Sequence, residues 1–241
     1  MNRQAVRHGL DKAISGFFTW RTALDVRGHE PWIIFSDQHK GAGDGADEFR
    51  LCKDTYLAAL RHYNSTGFTL VLLGDVEELW ENKFTEVLAA YRDVLEAEAA
   101  FGAKRYLRVW GNHDDRWMEE QNRFGVIWFG GVDLPSQDAA LRCEHDLIMY
   151  NWASAQEKMM LIVGHTHRPV WAGRTKEEQH QPGSVPAYFN TGCCKFADGD
   201  ITGMEIQDGV LRLIRWKTTG GMSSRTKLQE APLLELFAQL P

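Results

Sequence analysis

Several common signals are missing from this sequence of 241 residues, and each absence argues against a class of protein. The four cysteines form no CxxC pair and no framework typical of a secreted disulfide-rich protein, so we expect reduced, mostly buried thiols. The N-terminus carries charges and no long apolar run, which argues against a signal peptide and a membrane-spanning helix. We therefore expect a cytoplasmic protein without a membrane span.

Positive charge is also in short supply. The formal net charge of −6 argues against a general nucleic-acid partner or a membrane-surface binder, and it leaves a local basic rim open. The glycine-rich segment 41–45 lacks the GxxxxGK[ST] spacing of a phosphate-binding loop, so we interpret it as a flexible rim. The content of 44% hydrophobic and 25% charged residues is that of a globular protein. The length suits one domain, residues 1–241, with a substantial core.

Buried strands alternate with amphipathic helices in the first half of the chain. Apolar runs predict strands at 31–35, 68–73 and 106–110. Helical spacing of apolar residues predicts helices over 47–63 and 84–100. This alternation predicts right-handed crossover connections and a parallel sheet.

The pattern becomes looser after residue 114. We predict further strands, at 126–129, 139–143, 159–163, 188–190, 201–206 and 210–216. A short helix is predicted over 150–158, a polar linker over 220–227, and a small C-terminal helix over 232–240. Asp208-Gly209 predicts a two-residue hairpin turn between the last two strands.

Polar motifs follow four of the predicted strands, at the points where the strands end. They are DQH at 37–39, GD at 74–75, GNHD at 111–114 and GHTH at 164–167. In open α/β sheets, ligands bind beyond the carboxyl ends of the strands. Asp, Asn and His at four such junctions indicate one metal site, and these ligand types suit Mn, Fe, Zn or Co.

The mixture of carboxylates and imidazoles suggests a particular chemistry. A carboxylate can bridge two ions with its two oxygens. Two ions roughly 3.5–4 Å apart can clamp a phosphate group, activate a water and stabilise an in-line displacement. The residues therefore favour a small phosphorylated substrate.

Together, the four motifs resemble those of the calcineurin-like metallophosphoesterase superfamily, over about residues 32–216. The resemblance implies an α/β fold: a two-sheet β-sandwich flanked by helices, in four αββα layers, with a two-metal site at one edge. It also implies a hydrolase that cleaves phosphate mono- or diesters with a metal-activated water. Two divalent ions would be the cofactors, with Mn expected first.

The resemblance further implies the ligands of each ion. They are Asp37, His39 and His167 for the first metal, Asp75 as the bridge, and Asn112 and His165 for the second metal. His113 would be the acid near the leaving-group oxygen, or a stabiliser of the transition state. Asp114 would orient His113, as a carboxylate behind a catalytic ring often does.

Members of the superfamily carry one more isolated histidine between GNHD and GHTH. Only His145 lies between His113 and His165, so it is the candidate by elimination. It is followed by Asp146 where the superfamily usually has glycine, and the segment around it is short. Two interpretations stay open: a ligand of the second metal, or a loop histidine beside a weakened second site.

The substrate is less defined than the metal site. The layout, including Arg168-Pro169 after GHTH, is similar to that of UDP-2,3-diacylglucosamine hydrolases. Those enzymes usually have Arg where this chain has His113, a departure that counts against their lipid substrate. Arg116 and Arg168 follow metal motifs and are candidates for a phosphate clamp, with surface ion pairs as the alternative.

Some alternatives remain at the level of function and of single residues. The fold could serve as a non-catalytic binding scaffold, whose hallmark would be lost ligands. A nuclease or another metal-dependent hydrolase is a third hypothesis, but the acidic balance offers no basic channel. Glu77 and Glu78 follow the bridging Asp75, and a solvated helix start is favoured for them over a place behind the ligands.

Overall fold

The computed structural model describes residues 7–8, 10–11, 30–114, 139–173 and 184–241. Three strands come first, β1 (Trp32–Phe35), β2 (Thr69–Leu73) and β3 (Tyr106–Val109). Helix α1 (Phe49–Ser65) connects β1 to β2, and α2 (Phe84–Ala99) connects β2 to β3. Both strand pairs are parallel, so the alternation predicted for the first half of the chain is confirmed.

The second half adds two helices and six strands. They are α3 (Ala139–Ser154), β4 (Leu161–Val163), β5 (Pro169–Val170), β6 (Tyr188–Thr191), β7 (Ile201–Gln207), β8 (Val210–Thr219), β9 (Met222–Pro232) and α4 (Leu233–Ala238). Asp208 and Gly209 join β7 to β8 with φ values of 53° and 72°. Positive φ at both central residues is the requirement of a type I′ turn, so the predicted hairpin is confirmed.

The strands form two sheets. The larger has the order β3-β2-β1-β7-β8-β9, and β7 pairs antiparallel with β1, so a parallel half continues into an antiparallel half. The smaller sheet has the order β4-β6-β5. Strands β4 and β6 are parallel. The residues after β4 reach the end of β1, since His165 N donates a hydrogen bond to Asp37 Oδ1 at 2.9 Å.

Side chains that alternate along β1 show how the layers stack. Ile33 and Phe35 pack in a core cluster with residues of α1 and α2 on one face of the large sheet. Trp32 and Ile34 lie in a second cluster with Phe189 of β6, between the two sheets. A third cluster joins α3 to the outer face of the small sheet. The layers are thus helices, sheet, sheet and helix, and the predicted α/β fold is confirmed.

The strand predicted at 139–143 and the linker predicted at 220–227 are wrong, whereas the helix predicted at 150–158 has the right kind and the wrong bounds. Residues 139–143 and 150–158 were expected as a strand and a short helix, but a single helix, α3, covers Ala139–Ser154. The expected linker 220–227 lies largely within β9, which pairs with β8 along its whole length. The predicted strand at 126–129 lies outside the described residues. None of the described helices is both long and apolar enough to cross a lipid bilayer.

Candidate metal centre

The loops after β1, β2, β3 and β4 meet at one edge of the two sheets. Backbone hydrogen bonds join the first two loops, from Asp37 N to Gly74 O at 3.1 Å and from His39 N to Asp75 O at 2.9 Å. A cavity of about 440 Å³ opens at this edge. Six of the predicted site residues line it, namely His39, Asp75, Asn112, His113, His165 and His167.

The backbone is strained at most of the predicted metal ligands. Eight non-glycine residues have positive φ in the described part of the chain, and five of them are predicted ligands: Asp37, His39, Asp75, His165 and His167. Left-handed backbone at such residues costs about 1–3 kcal/mol each and persists only where the surrounding structure enforces it. Such strain is concentrated in functional sites.

Two glycines allow these loops to approach each other. A Cβ atom on Gly111 would lie 2.1 Å from Asp75 Oδ1, and one on Gly164 would lie 2.1 Å from Asp37 Oδ2. The first glycines of GNHD and GHTH are therefore required because the backbone passes directly against a carboxylate. GNHD and GHTH therefore contribute polar side chains to the site, and their glycines leave room for the carboxylates of Asp75 and Asp37.

Asp37, His39 and His167 form a first cluster whose ligand atoms all lie within 4.8 Å of one another. His39 Nε2 lies 3.2 Å from His167 Nε2, which in turn lies 3.3 Å from Asp37 Oδ1. Two nitrogens that bind one ion at about 2.1 Å each are separated by about 3.0–3.4 Å for angles of 90–109°. The spacing of these atoms therefore fits a shared divalent ion.

A second group surrounds Asp75. His39, Asp75 and His113 offer ligand atoms within 4.8 Å of one another. His145 Nδ1 lies 3.2 Å from His165 Nε2, again the separation expected for two nitrogens on one ion. Asn112 is buried and lines the same cavity as Asp75 and His165. The structure thus brings His145 to the predicted second site, although it lies on helix α3 and not at a strand end.

Burial controls the charge of the site. It lowers the pKa of His165 to about 3 and that of His167 to about 4, so both rings are neutral at pH 7, the form that binds metal. Burial also raises the pKa of Asp75 to about 6; the charge of His39 opposes this shift and that of Asp37 adds to it. Two buried carboxylates this close together favour a cation between them.

Glu78 connects two histidines of the site. Its carboxylate lies 2.8 Å from His39 Nδ1 and 2.7 Å from His113 Nδ1. The ring of Trp80 stacks on His113 with a centroid distance of 4.1 Å. Burial opposes ionisation of Glu78, but the hydrogen bonds from His113 and His39 outweigh it and lower its pKa to about 2. Glu78 is therefore an anion that holds both rings by Nδ1.

This arrangement differs from two expectations. The carboxylate on the His113 ring is Glu78, where the resemblance implied Asp114. Asp114 accepts backbone hydrogen bonds from Val76 N at 2.8 Å and Gly111 N at 2.6 Å, so it fixes the turn of GNHD. The solvated helix start favoured for Glu77 and Glu78 is also wrong. Glu77 is fully buried and pairs with Lys40 and Arg108.

Comparisons with known proteins give only a distant likeness. No model of a protein family matches the chain, and no curated protein matches it. Vacuolar Protein Sorting 29 from Cryptosporidium parvum is 13% identical over 84% of this chain and 98% of its own, with a TM-score of 0.42. A predicted phosphoesterase from Streptococcus pneumoniae is 13% identical over 82% and 97%, with a TM-score of 0.35. These values are too low to assign a family or an activity.

Of the two arginines predicted as a phosphate clamp, Arg168 is described by the structure, and it does not line the cavity. Arg168 Nη1 lies 3.1 Å from Asp146 Oδ2, in an ion pair that attaches the end of the GHTH loop to helix α3. Asp146 also accepts hydrogen bonds from Thr166 and Tyr188, so the pair belongs to a buried polar group. Arg116 lies outside the described residues. Arg168 thus has an ion-pair partner, and its role in binding phosphate stays a prediction.

Two cations that the sequence did not suggest do line the cavity, Arg142 and Lys195. Arg142 lies one helical turn before His145 on α3, and recognising this segment as a helix would have revealed it. Lys195 follows the two adjacent cysteines after β6, and nothing in its local sequence distinguishes it. Its position depends on the hydrogen bond of 3.3 Å from Cys194 N to Asp37 O.

Proposed function

We propose that this protein is a metal-dependent phosphoesterase that binds two divalent ions and hydrolyses phosphate mono- or diesters. The observation that carries the proposal is the strained backbone at five of the predicted ligands, of which four line one cavity and the fifth, Asp37, contacts His167. Structure of this kind is costly, and a metal centre accounts for both the strain and the choice of residues. When bound, such ions supply Lewis acidity and an activated water.

Each ion would have its own set of ligands. Asp37, His39 and His167 would hold the first ion, whereas Asn112, His145 and His165 would hold the second. Asp75 would bridge the two, since its buried carboxyl lies near His39 of the first group and it lines the same cavity as Asn112 and His165 of the second. A set of oxygen and imidazole ligands without thiolates suits Mn first, with Fe, Zn and Co as alternatives.

His113 would serve the leaving group. Its Nδ1 faces the carboxylate of Glu78, and Nε2 would donate the proton to the leaving-group oxygen of the substrate. The stack with Trp80 limits rotation of the ring. Asp114 would keep the GNHD turn in shape through its bonds to backbone amides. In this arrangement Glu78 orients the ring and Asp114 orients the loop.

The motifs support membership of the calcineurin-like metallophosphoesterase superfamily. The finer similarity to UDP-2,3-diacylglucosamine hydrolases has less support. In this chain Arg168 forms an ion pair with Asp146. His113 stands where those enzymes usually have arginine. We therefore propose the superfamily chemistry without their lipid substrate.

The test begins with metal content. The protein would be purified, analysed for bound metals by mass spectrometry, and assayed with Mn on p-nitrophenyl phosphate and bis-p-nitrophenyl phosphate. We expect about two ions per chain and Mn-dependent hydrolysis of at least one ester. Metal binding without turnover of either ester would support the scaffold alternative. A chain that binds no metal would overturn the proposal.

A further inference from the structure

The cavity beside the metal ligands has an uneven distribution of charge. Its described lysine and arginine side chains are Lys195 and Arg142, and Arg142 Nη2 lies 3.5 Å from His167 Nδ1. Of the acidic side chains that line it, Asp75 and Glu78 lie beside His39, whereas Asp44 and Glu81 are exposed to solvent. The inner end of the cavity is thus suited to a phosphate group, and the outer end repels further anions.

Arg142 lies directly against a predicted ligand. Its Nη2 atom is 3.5 Å from Nδ1 of His167, and its place on α3 puts it one turn from His145. A helix fixes both residues on neighbouring positions of one face. A guanidinium group presents several N–H donors in a plane, which matches two oxygens of a phosphate.

Lys195 approaches the same ligands from the opposite loop. Lys195 lines the same cavity as His39 and His167 of the first metal cluster. Its side chain is largely buried and lies 3.2 Å from Glu48, whose side chain is 51% exposed. An ion pair with a solvent-exposed partner contributes little, so Lys195 can exchange Glu48 for a substrate oxygen at small cost.

From this arrangement we infer that Arg142 and Lys195 bind a terminal phosphate oxygen, so the enzyme selects phosphate monoesters whose alcohol half carries no negative charge. This inference rests on the proposed function. A monoester dianion has three terminal oxygens, whereas in a diester the second ester group takes the place of one of them. Two cations beside the metal ligands provide for the additional oxygen and the additional charge.

The acidic rim extends the same argument to the alcohol half. A second phosphate or a carboxylate on the substrate would lie toward Asp44 and Glu81. The negative charge of such a group would be repelled by these two carboxylates, and the repulsion is stronger where protein excludes water. Pyrophosphates and nucleoside polyphosphates are therefore disfavoured relative to esters of neutral or cationic alcohols.

The kinetic test compares the two ester classes in the Mn-loaded protein. We expect kcat/KM to be higher for p-nitrophenyl phosphate than for bis-p-nitrophenyl phosphate. Arg142→Gln and Lys195→Gln should each lower the monoester value by about tenfold to hundredfold, the worth of a hydrogen bond to a charged group. The diester value should change by less than about threefold. Arg61→Gln and Lys217→Gln, at exposed positions of α1 and β8, are the matched controls.

A binding test needs no turnover. Calorimetric titration would compare phenylphosphonate, a dianion, with its monomethyl ester, a monoanion of similar shape. The unaltered protein should bind the dianion more tightly, and the difference should largely disappear in Arg142→Gln/Lys195→Gln. The single variant Arg142→Lys, which keeps the positive charge, should retain part of the difference in affinity between the dianion and the monoanion. For the alcohol half, O-phosphoethanolamine should be a better substrate than O-phosphoserine, which adds only a carboxylate.

The outcomes separate this inference from the proposed function. Preference for the diester, or equal binding of the two phosphonates, would overturn the role of Arg142 and Lys195 while leaving a metal-dependent esterase in place. Equal or better turnover of O-phosphoserine would overturn the part that concerns the alcohol half. Absence of both metal binding and hydrolysis would instead remove the proposed function itself.

Discussion

Glu78 and His113 are joined by a contact of 2.7 Å between a carboxylate oxygen and the ring nitrogen Nδ1. The same carboxylate lies 2.8 Å from Nδ1 of His39. One anion therefore sets the tautomer of a predicted metal ligand and of the residue proposed to assist the leaving group. This relationship leads to the first prediction.

Replacing Glu78 with Gln should impair two rings together. A glutamine side chain has one acceptor oxygen, so it can accept from one of the two Nδ1–H groups and not from both. We expect kcat to fall by about tenfold to hundredfold, the usual effect of losing a partner behind a ligand. The loss should be larger for phenyl phosphate, whose phenolate is a poor leaving group, than for p-nitrophenyl phosphate. Steady-state kinetics on both esters measures it.

A double-mutant cycle with His113→Ala isolates the route of this effect. If Glu78 acts through His113, Glu78→Gln should add little to the leaving-group dependence once the ring is absent. Glu96→Gln, an exposed position on α2, is the control. Additive losses for the two substitutions, or equal losses for both esters, would contradict the proposed role of the pair.

Asp75→Asn tests the bridge between the two ions. Loss of the bridging charge should lower metal content and reduce activity by several orders of magnitude. Asp208→Asn is a matched control because Asp208 has nearly the same φ, 53° against 51°, in a turn between β7 and β8. It should keep full metal content and activity. Turnover near that of the unaltered protein in Asp75→Asn would exclude a two-metal mechanism.

His145→Ala tests the second ion. The ring lies 3.2 Å from His165 Nε2, so its removal should weaken the second site and spare the first. We expect about one ion per chain at low Mn and partial recovery of activity at high Mn, by mass action on the weakened site. The control is His62→Ala, an exposed histidine on α1. Unchanged stoichiometry and Mn dependence would mean that His145 is not a ligand.

Lys40→Met tests the charge network beneath the site. Lys40 is fully buried, with Nζ 2.8 Å from Glu98 and 3.5 Å from Glu77. Its removal leaves buried carboxylates without their cation and should lower the free energy of unfolding by about 3–5 kcal/mol. Lys53→Met, which removes a surface pair with Asp93, should cost less than about 1 kcal/mol. Urea unfolding at fixed metal concentration measures both, and equal effects would contradict the prediction.

The sequence predicted the first half of the fold well because both kinds of element there follow simple patterns. It failed for α3 because the polar residues of that helix turn inward. His145 and Asp146 are buried and Arg142 lines the cavity, so the helix lacks a clean division between an apolar and a polar face. A helix that carries functional groups toward a site loses the period by which helices are recognised.

Strand β9 was missed for a different reason. Its side chains are largely exposed on both faces, so no alternation of apolar and polar residues marks it. Its pairing with β8 depends on backbone hydrogen bonds and on a neighbour that is already in place. Glu77 and Glu78 looked like solvent-exposed charges because their partners, such as Arg108 and His113, lie more than thirty residues away.

The left-handed backbone at Asp37, His39, Asp75, His165 and His167 has a consequence for how an ion enters the site. Loops that already hold their bent shape lose little conformational freedom when they bind, because that entropy was lost during folding. The frame is then pre-organised, and uptake of a metal ion at the proposed site would need no slow rearrangement of the chain. Selection among metals would depend on how well each ion fits a fixed set of donors, and not on how far the loops adapt to it.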